Sequence, residues 1–245
     1  MARLIYVFVS LVVLVNSGNI PDYIHICHRS DPELTKCIRE SIEFLRPQLK
    51  HGIPELTVPS IEPLFVKEVA ILRGQSNNLK AFLRNINVYG ASDFELTKLK
   101  VNVDKSIFRV GVKIPKLMME GDYEIDAKIL VVPIKGNGKF RANATNCEGQ
   151  AILKGEVKPD EKGIRHLKFT QFIYSINFGD YNIELDNLFN GDPTLSQAAI
   201  DVLHQNKPEF IAASLPFINT KLSEILLEMA NGITKNVDYD EIFPE

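Results

Sequence analysis

The sequence holds none of the short patterns that carry enzyme chemistry. There is no Gly-x-Ser-x-Gly elbow, the signature of an α/β-hydrolase nucleophile. There is no His-Glu-x-x-His helix, no dinucleotide-binding Gly-x-Gly-x-x-Gly and no phosphate loop. The five histidines, at 25, 28, 51, 166 and 204, are scattered, and nothing pairs the carboxylates into an acid–base couple. A protein that is not an enzyme, and needs neither cofactor nor metal, is the expectation. An excess of positive charge is also missing: 28 Lys and Arg stand against 31 Asp and Glu, a formal net charge of -3. Such a chain suits neither nucleic acid, where phosphate contacts need clustered cations, nor electrostatic docking on anionic lipid. Low-complexity segments, repeats and a Pro/Gly/Ser-rich linker are absent, which favours one continuous domain.

Long apolar runs are scarce, and the one that stands out is at the start. Met1-Ala2-Arg3 is basic, Leu4 to Val15 is nearly unbroken apolar sequence, and Asn16-Ser17-Gly18 supplies small residues. That order is a secretory signal peptide. A membrane anchor, the competing reading, needs about 20 apolar residues. Cleavage is expected after Ser17, which makes residues 1–17 the signal and 18–245 the mature domain. Losing Arg3 leaves 28 - 1 = 27 cations against 31 anions, a net charge of -4. No later stretch reads as long and apolar enough to cross a bilayer, so the mature chain is expected to be secreted, extracellular and monomeric.

Cysteine is sparse: Cys27, Cys37 and Cys147. Pairing is the default in an oxidising compartment, and a Cys27–Cys37 bridge would tie the N-terminal arm to the first helix. The alternative is a metal site built from His25, Cys27, His28 and Cys37, residue types that suit zinc at a spacing that matches no finger pattern. Cys147 is left as a buried thiol behaving as a small apolar residue, with an intermolecular bridge as the alternative. Asn143-Ala144-Thr145 is the single N-glycosylation sequon, and Gly136-Asn137-Gly138 before it reads as a turn.

Periodicity divides what remains. Ser30-Asp31-Pro32-Glu33 reads as a capping box with Ser30 as the cap. It opens a helix from about Asp31 to Leu49, with Pro47 expected to bend or end it. Three prolines between 54 and 63 make the next stretch an extended connector. From Val66 to about Leu188 the period is two. Leu99, Val101 and Val103 form one apolar phase, as do Phe108, Val110, Val112 and Ile114, and again Tyr123, Ile125, Ala127 and Ile129. These are antiparallel strands with one wet face. Leu167 and Phe169 share one phase, whereas Phe172, Tyr174, Ile176 and Phe178 share the other. The slip at Thr170-Gln171 predicts a β-bulge. Asp192-Pro193 starts a helical segment that Pro208 and Pro216 interrupt. Ile218, Leu222, Ile225, Leu226, Met229 and Ile233 then make an apolar stripe, followed by an acidic, aromatic tail.

Three stretches, taken in order, resemble the takeout and juvenile-hormone-binding protein family of insects over essentially the whole mature chain. They are the Cys27–Cys37 pair opening a helix, Gly52-Ile53-Pro54-Glu55-Leu56 continuing to Ile61-Glu62-Pro63-Leu64, and Leu188-Phe189-Asn190-Gly191 leading to Tyr239-Asp240-Glu241-Ile242-Phe243-Pro244. The resemblance implies an α+β fold of the tubular lipid-binding kind, with a long C-terminal helix wrapped by a strongly curved antiparallel sheet around an apolar tunnel. It implies a carrier for a small hydrophobic ligand: juvenile hormone, another terpenoid or a fatty-acyl compound. Candidate tunnel-lining residues are Phe108, Val110, Tyr123, Ile125, Phe172, Tyr174, Ile176, Phe178, Leu222, Ile225 and Met229. The tyrosines would offer hydroxyls. Moth hormone carriers have a second disulfide, and Cys147 has no partner for one, which places the chain nearer the takeout branch. Lys207-Pro208 stands where many takeout-like chains carry Asn-Trp. A membrane-interacting lipid-transfer protein is the alternative function, with an esterase of unfamiliar type behind it.

Overall fold

The computed structural model describes residues 20–73, 80–129, 132–235 and 237–245; the signal segment 1–17 lies outside these. Seven strands form one antiparallel sheet: β1 (Leu64–Arg73), β2 (Lys80–Tyr89), β3 (Glu95–Asn102), β4 (Ile107–Ile129), β5 (Val132–Pro159), β6 (Arg165–Asn177) and β7 (Asp180–Leu185). The path through it is β1-β2-β4-β5-β6, with β3 also on β4 and β7 also on β5. The long strands β4 and β5, of 23 and 28 residues, pair along almost their full length and form the spine. Each supports different neighbours at its two ends, β2 and β7 at one, β3 and β6 at the other.

The spine has to bend to bury one face. Register slips between Ala70 and Leu72, Arg84 and Asn87, and Leu96 and Lys98 supply local curvature, because an extra residue on one strand kinks it and increases the twist. The expected bulge in β6 is present: Lys154 pairs with Gln171 and Gly155 with Phe169, leaving Thr170 as the extra residue. The residues read as two separate strands, around Phe108 to Ile114 and Tyr123 to Ile129, are the two ends of β4. Gly136-Asn137-Gly138 is not a turn but lies inside β5. These glycines answer a tertiary need. A Cβ on Gly138 would sit 2.6 Å from the Asp186 carbonyl oxygen, and one on Gly136 would sit 3.1 Å from Leu188 Cα. Asn143 is accordingly at mid-strand, exposed on the outer face opposite Asn182 of β7.

Among the described residues four α-helices accompany the sheet: α1 (Leu34–His51), α2 (Pro193–Gln205), α3 (Lys207–Thr234) and α4 (Tyr239–Ile242). The start of α1 departs from the capping-box expectation. Asp31 Oδ1 accepts from the Glu33 N–H at 2.7 Å, and Glu33 makes no side-chain cap bond. Pro47 does not end α1, which runs on to His51 with the proline on its exposed side. Asp192 caps α2 as expected, accepting from Thr194 and Leu195 N–H at 2.9 Å, with Pro193 in the first turn. Neither Pro208 nor Pro216 interrupts α3, contrary to the expectation from sequence. Pro208 instead sits in the first turn of α3, where a missing N–H is harmless, and Pro216 lies within the helix. Pro216 and Ala212, whose carbonyl loses its partner, are both exposed, so that carbonyl is open to solvent rather than buried unpaired. The two prolines divide the apolar stretch in sequence but not in structure. As one helix, α3 is long and apolar enough to cross a membrane by length and composition, contrary to the expectation from sequence.

α3 packs on β6 and β1, the two ends of the strand path, and so closes the curved sheet. Its attachment to β6 is polar and specific. Ile176 N–H donates to Asn219 Oδ1 (3.0 Å) and Tyr174 N–H to Ser223 Oγ (3.0 Å). Phe169 N–H donates to Asn231 Oδ1 (2.8 Å), and its carbonyl accepts from Asn231 Nδ2 (2.9 Å). An edge strand with free amides invites pairing with another chain; here side chains four and eight residues apart on α3 occupy them. Connectors are fixed in the same way. Glu62 accepts from Gly90 N–H (2.8 Å) and Ser92 Oγ (3.1 Å), holding the turn between β2 and β3.

Candidate functional site

At one end of the closed sheet the N-terminal arm, α1, the end of α3 and the C-terminal tail meet. The arm is held by the expected Cys27–Cys37 disulfide, with Cα atoms 5.9 Å apart. The ligand atoms of His25, Cys27 and Cys37 do lie within 4.8 Å of one another. Both sulfurs are bonded to each other, though, and a metal needs them as thiolates. The tail folds back as α4. Its Asp240 carboxylate bridges Arg29 of the arm (2.8 Å) and Arg165 of β6, to which it is bonded twice, once at 2.8 Å. Both guanidiniums also lie over the Tyr239 ring, 5.2 and 5.6 Å from its centroid, a cation–π arrangement. Arg29 N–H donates to the Pro244 carbonyl at 2.7 Å. Bonds from Arg165, then Arg29, hold the Asp240 carboxyl below its ordinary value.

Beside this junction is an apolar cavity of about 330 Å³. Ile24 and Ile26 of the arm, Ile38 and Ile42 of α1, Phe108, Leu153, Leu167 and Phe169 of the sheet, and Ala230 and Ile233 of α3 line it. Polar atoms are few and mostly engaged. Ser41 Oγ donates to the His25 carbonyl (3.0 Å) and Thr234 Oγ1 to the Ala230 carbonyl (3.3 Å). The exposed ring of His25 remains as a polar group on the wall. Phe108 and Phe169 meet edge to face, 5.7 Å between centroids. The volume is at the low end of the ~300–1,000 Å³ of small-molecule sites.

The candidate lining residues are spread along the interior. Phe108 alone among them is on the wall of this cavity. Met229 packs with Ile53, Leu56, Val58 and Val237 beside it, and Ile225 with the core under α2; both also border an open cleft of about 700 Å³ between the connector, β1 and α3. Tyr174, Ile176, Phe178 and Leu222 belong to a central cluster around Cys147. Tyr123 and Ile125 are in the α2-end core. Val110 and Phe172 are half-buried. The Tyr123 hydroxyl donates to the Asp186 carbonyl at 2.5 Å and is taken. Burial, with smaller help from Asp186 and Cys147 respectively, pushes the Tyr123 and Tyr174 hydroxyls up to about 12, so both stay neutral. Cys147 is buried and unpaired as expected; burial pushes its thiol up to about 11, which removes its nucleophilicity. Reading the sequence missed the cavity-forming residues of the arm and α1, Ile24, Ile26, Ile38 and Ile42. The helical spacing of the last two was visible; their position opposite Phe108 was not.

A curved antiparallel sheet closed by a long helix, with an apolar cavity at one end, defines the tubular lipid-binding class. The comparisons give the family. The model of the haemolymph juvenile hormone binding protein family matches residues 4–244, and the chain belongs to that family. It is similar to a putative beta-carotene-binding protein of Schistocerca gregaria, 24% identical over 216 residues, covering 88% of this chain and 86% of that one. It is also similar to the circadian clock-controlled protein daywake of Drosophila melanogaster, 22% identical over 215 residues, 84% and 83% of the two chains. The crystal structure of Epiphyas postvittana Takeout 1 superposes with a TM-score of 0.76 at 20% identity, covering 91% of this chain and all of that one, which establishes the shared fold.

Proposed function

We propose that the protein is a secreted carrier that holds one small hydrophobic ligand in the cavity behind the arm and tail, with any polar end of the ligand turned to His25. The observation that carries this is the near-absence of free polar groups on the cavity wall, together with membership of a family of hydrophobic-ligand carriers. The energetics suffice. A ligand burying about 300 Å² of apolar surface gains ~7.5 kcal/mol at ~25 cal/mol per Å², against an association cost of ~4 kcal/mol at the low end. The net ~3.5 kcal/mol corresponds to millimolar binding; one or two hydrogen bonds at ~1 kcal/mol each and a larger buried area tighten it further. Terpenoids and acyl chains both fit this chemistry, and walls of Ile, Leu and Phe separate them by shape only weakly. A chain too long for the cavity would extend past Met229 and along the rows of Phe172, then Val110 and Tyr174, into the core around Ile176, Phe178 and Leu222, then toward Ile225, Tyr123 and Ile125, displacing side chains as it went. That route is the tunnel we assign. On this reading the protein is a monomer, α3 stays in the fold rather than inserting into a bilayer, and no reaction occurs.

The test is native purification from the source fluid and mass spectrometry of the compound that comes with it. An unchanged terpenoid or acyl compound at about one per chain supports the carrier; turnover to a product on incubation would replace it with an enzyme. Ala230→Trp, which fills the cavity, is expected to weaken binding of an apolar dye at least about tenfold, the equivalent of ~1.4 kcal/mol. A filled cavity that binds as well as the open one would move the site elsewhere.

A further inference from the structure

The outer face of the sheet is divided electrostatically. Where β2, β4, β5 and β7 meet, outward rows are charge-matched. Glu120 lies opposite Arg141, Asp122 opposite Lys139 and Asp126 opposite Lys135. Arg84, Lys135, Lys139 and Arg141 all have carboxylate partners, at 2.6–3.9 Å. At the other end of the same strands, β3, β4, β5 and β6 present three successive outward rows of a different kind. They contain Lys98, Lys100, Arg109 and Lys154, and Ile107, Ile152 and Ile173 among them; the remaining five of the twelve positions are neutral, and none is a carboxylate. The next row restores balance, with Lys113 between Glu95 and Glu148.

Three observations set this block apart from an ordinary wet face. The four cations are exposed, and no ion pair to any of them occurs among the described residues. Lys100 stands directly opposite Arg109, an arrangement that weakens a sheet because like charges on paired strands repel. Arg109 is followed across the row by Ile152 and Ile173, and Ile173, midway along the edge strand β6, is 46% exposed. A row reading Lys, Arg, Ile, Ile on a rigid surface offers charge to phosphates and aliphatic carbon to the layer beneath them.

We propose that this face docks reversibly on anionic phospholipid surfaces. The cations would meet headgroup phosphates and the isoleucines the interfacial carbon, the combination that holds peripheral proteins on acidic membranes. The block lies on the outer face of the curved sheet and lines neither the cavity nor the cleft described above, which suits a membrane plane better than a peptide. The net charge of the chain averages over this division: at one end of the outer face cations and carboxylates are paired, while the rows at the other hold cations alone. The proposal stands independently of the cavity, since all its residues point away from the interior.

The test is co-flotation of the full mature protein with phosphatidylcholine vesicles, with and without phosphatidylserine, at low and high salt. Binding is expected only with phosphatidylserine and is expected to fall as salt screens the surface. Each cation removed should cost roughly fivefold in partition, so the Lys98→Gln, Lys100→Gln, Arg109→Gln, Lys154→Gln combination should drop to the level seen with phosphatidylcholine alone. Lys135→Gln with Lys139→Gln, in the charge-matched end, should partition as the unmodified protein does. Dye binding in the cavity checks that every variant is folded and reads the carrier proposal separately. Equal binding to neutral vesicles, or no loss in the fourfold variant, would overturn the docking face. Retention by soluble polyglutamate without vesicle binding would also overturn it, in favour of an acidic protein partner.

Discussion

Tyr123 and Tyr174 occupy equivalent phases of their strands, and strand phase correctly places both rings inward. It cannot place the hydroxyls. Tyr123 reaches the Asp186 carbonyl at 2.5 Å, whereas the Tyr174 hydroxyl has no hydrogen-bond partner among the described residues and lies over Gly149 in the central cluster. That contact explains a glycine in mid-strand, where its flexibility is otherwise a disadvantage. A Cβ on Gly149 would overlap the hydroxyl and sit 2.8 Å from Val112 Cγ2. Gly149→Ala is therefore expected to destabilise by about 1–3 kcal/mol, the usual range for overpacking. Adding Tyr174→Phe should restore part of this but not all, because the ring carbon Cζ would still be 3.0 Å from the new methyl. Chemical denaturation of the two variants checks the order: a double variant no more stable than Gly149→Ala would show that the hydroxyl is not what Gly149 accommodates.

Among the elements, α3 shows how tertiary bonding decides what local propensity leaves open. Its apolar stripe was legible, as were the Asp192 cap, the bulge at Thr170 and the alternation of β4, because each is written in residues adjacent in sequence. The continuity of α3 through Pro216, and of β5 through Gly136 and Gly138, was not legible. Both depend on what is nearby in space: the solvent exposure of Ala212 in one case, the backbone of Asp186 and Leu188 in the other. The arm and tail escaped for the same reason, since Arg29 and Asp240 are 211 residues apart. Asn219, Ser223 and Asn231 look like polar interruptions of the stripe, yet they hold the β6 edge. Asn231→Leu would leave the Phe169 N–H and carbonyl without their partner. At ~1–3 kcal/mol for each buried group left unpaired, and with β6 half-covered here, a loss of about 2 kcal/mol is expected. Glu228→Ala, on the exposed side of α3, should stay within ~0.5 kcal/mol. Amide exchange gives the sharper reading. Protection should fall at Phe169 first and at Tyr174 and Ile176 less, since Ser223 and Asn219 remain; uniform loss along β6 would mean that the helix had detached as a whole.

For the whole molecule, the ends of the chain supply one wall of the cavity, and their junction is ionic. Asp240 joins Arg29 of the arm to Arg165 of β6, while His28 and Arg29 bond the last residues of the tail. Because its folded-state carboxyl is held below the ordinary aspartate value, the sign of its pH dependence follows directly. The stabilisation is fully present above the unfolded value of ~3.9 and disappears as pH falls through the folded value. The carboxylate is 41% exposed, so solvent screening keeps its contribution within ~1 kcal/mol, or at most about 2–4 °C in melting temperature for a chain of this size. Its effect on the cavity should be larger than its effect on stability, since the bonds it makes hold the wall rather than the core. Asp240→Asn is accordingly expected to melt within a few degrees of the unmodified protein, yet to release a bound apolar dye several-fold faster at neutral pH. The unmodified protein should reach that release rate only in acid, below pH ~4. Stopped-flow dye displacement across pH 3 to 7 measures both. If Asp240→Asn and the unmodified protein release dye at one rate throughout, the arm and tail do not gate the cavity, and the ligand must leave by the cleft between β1 and α3.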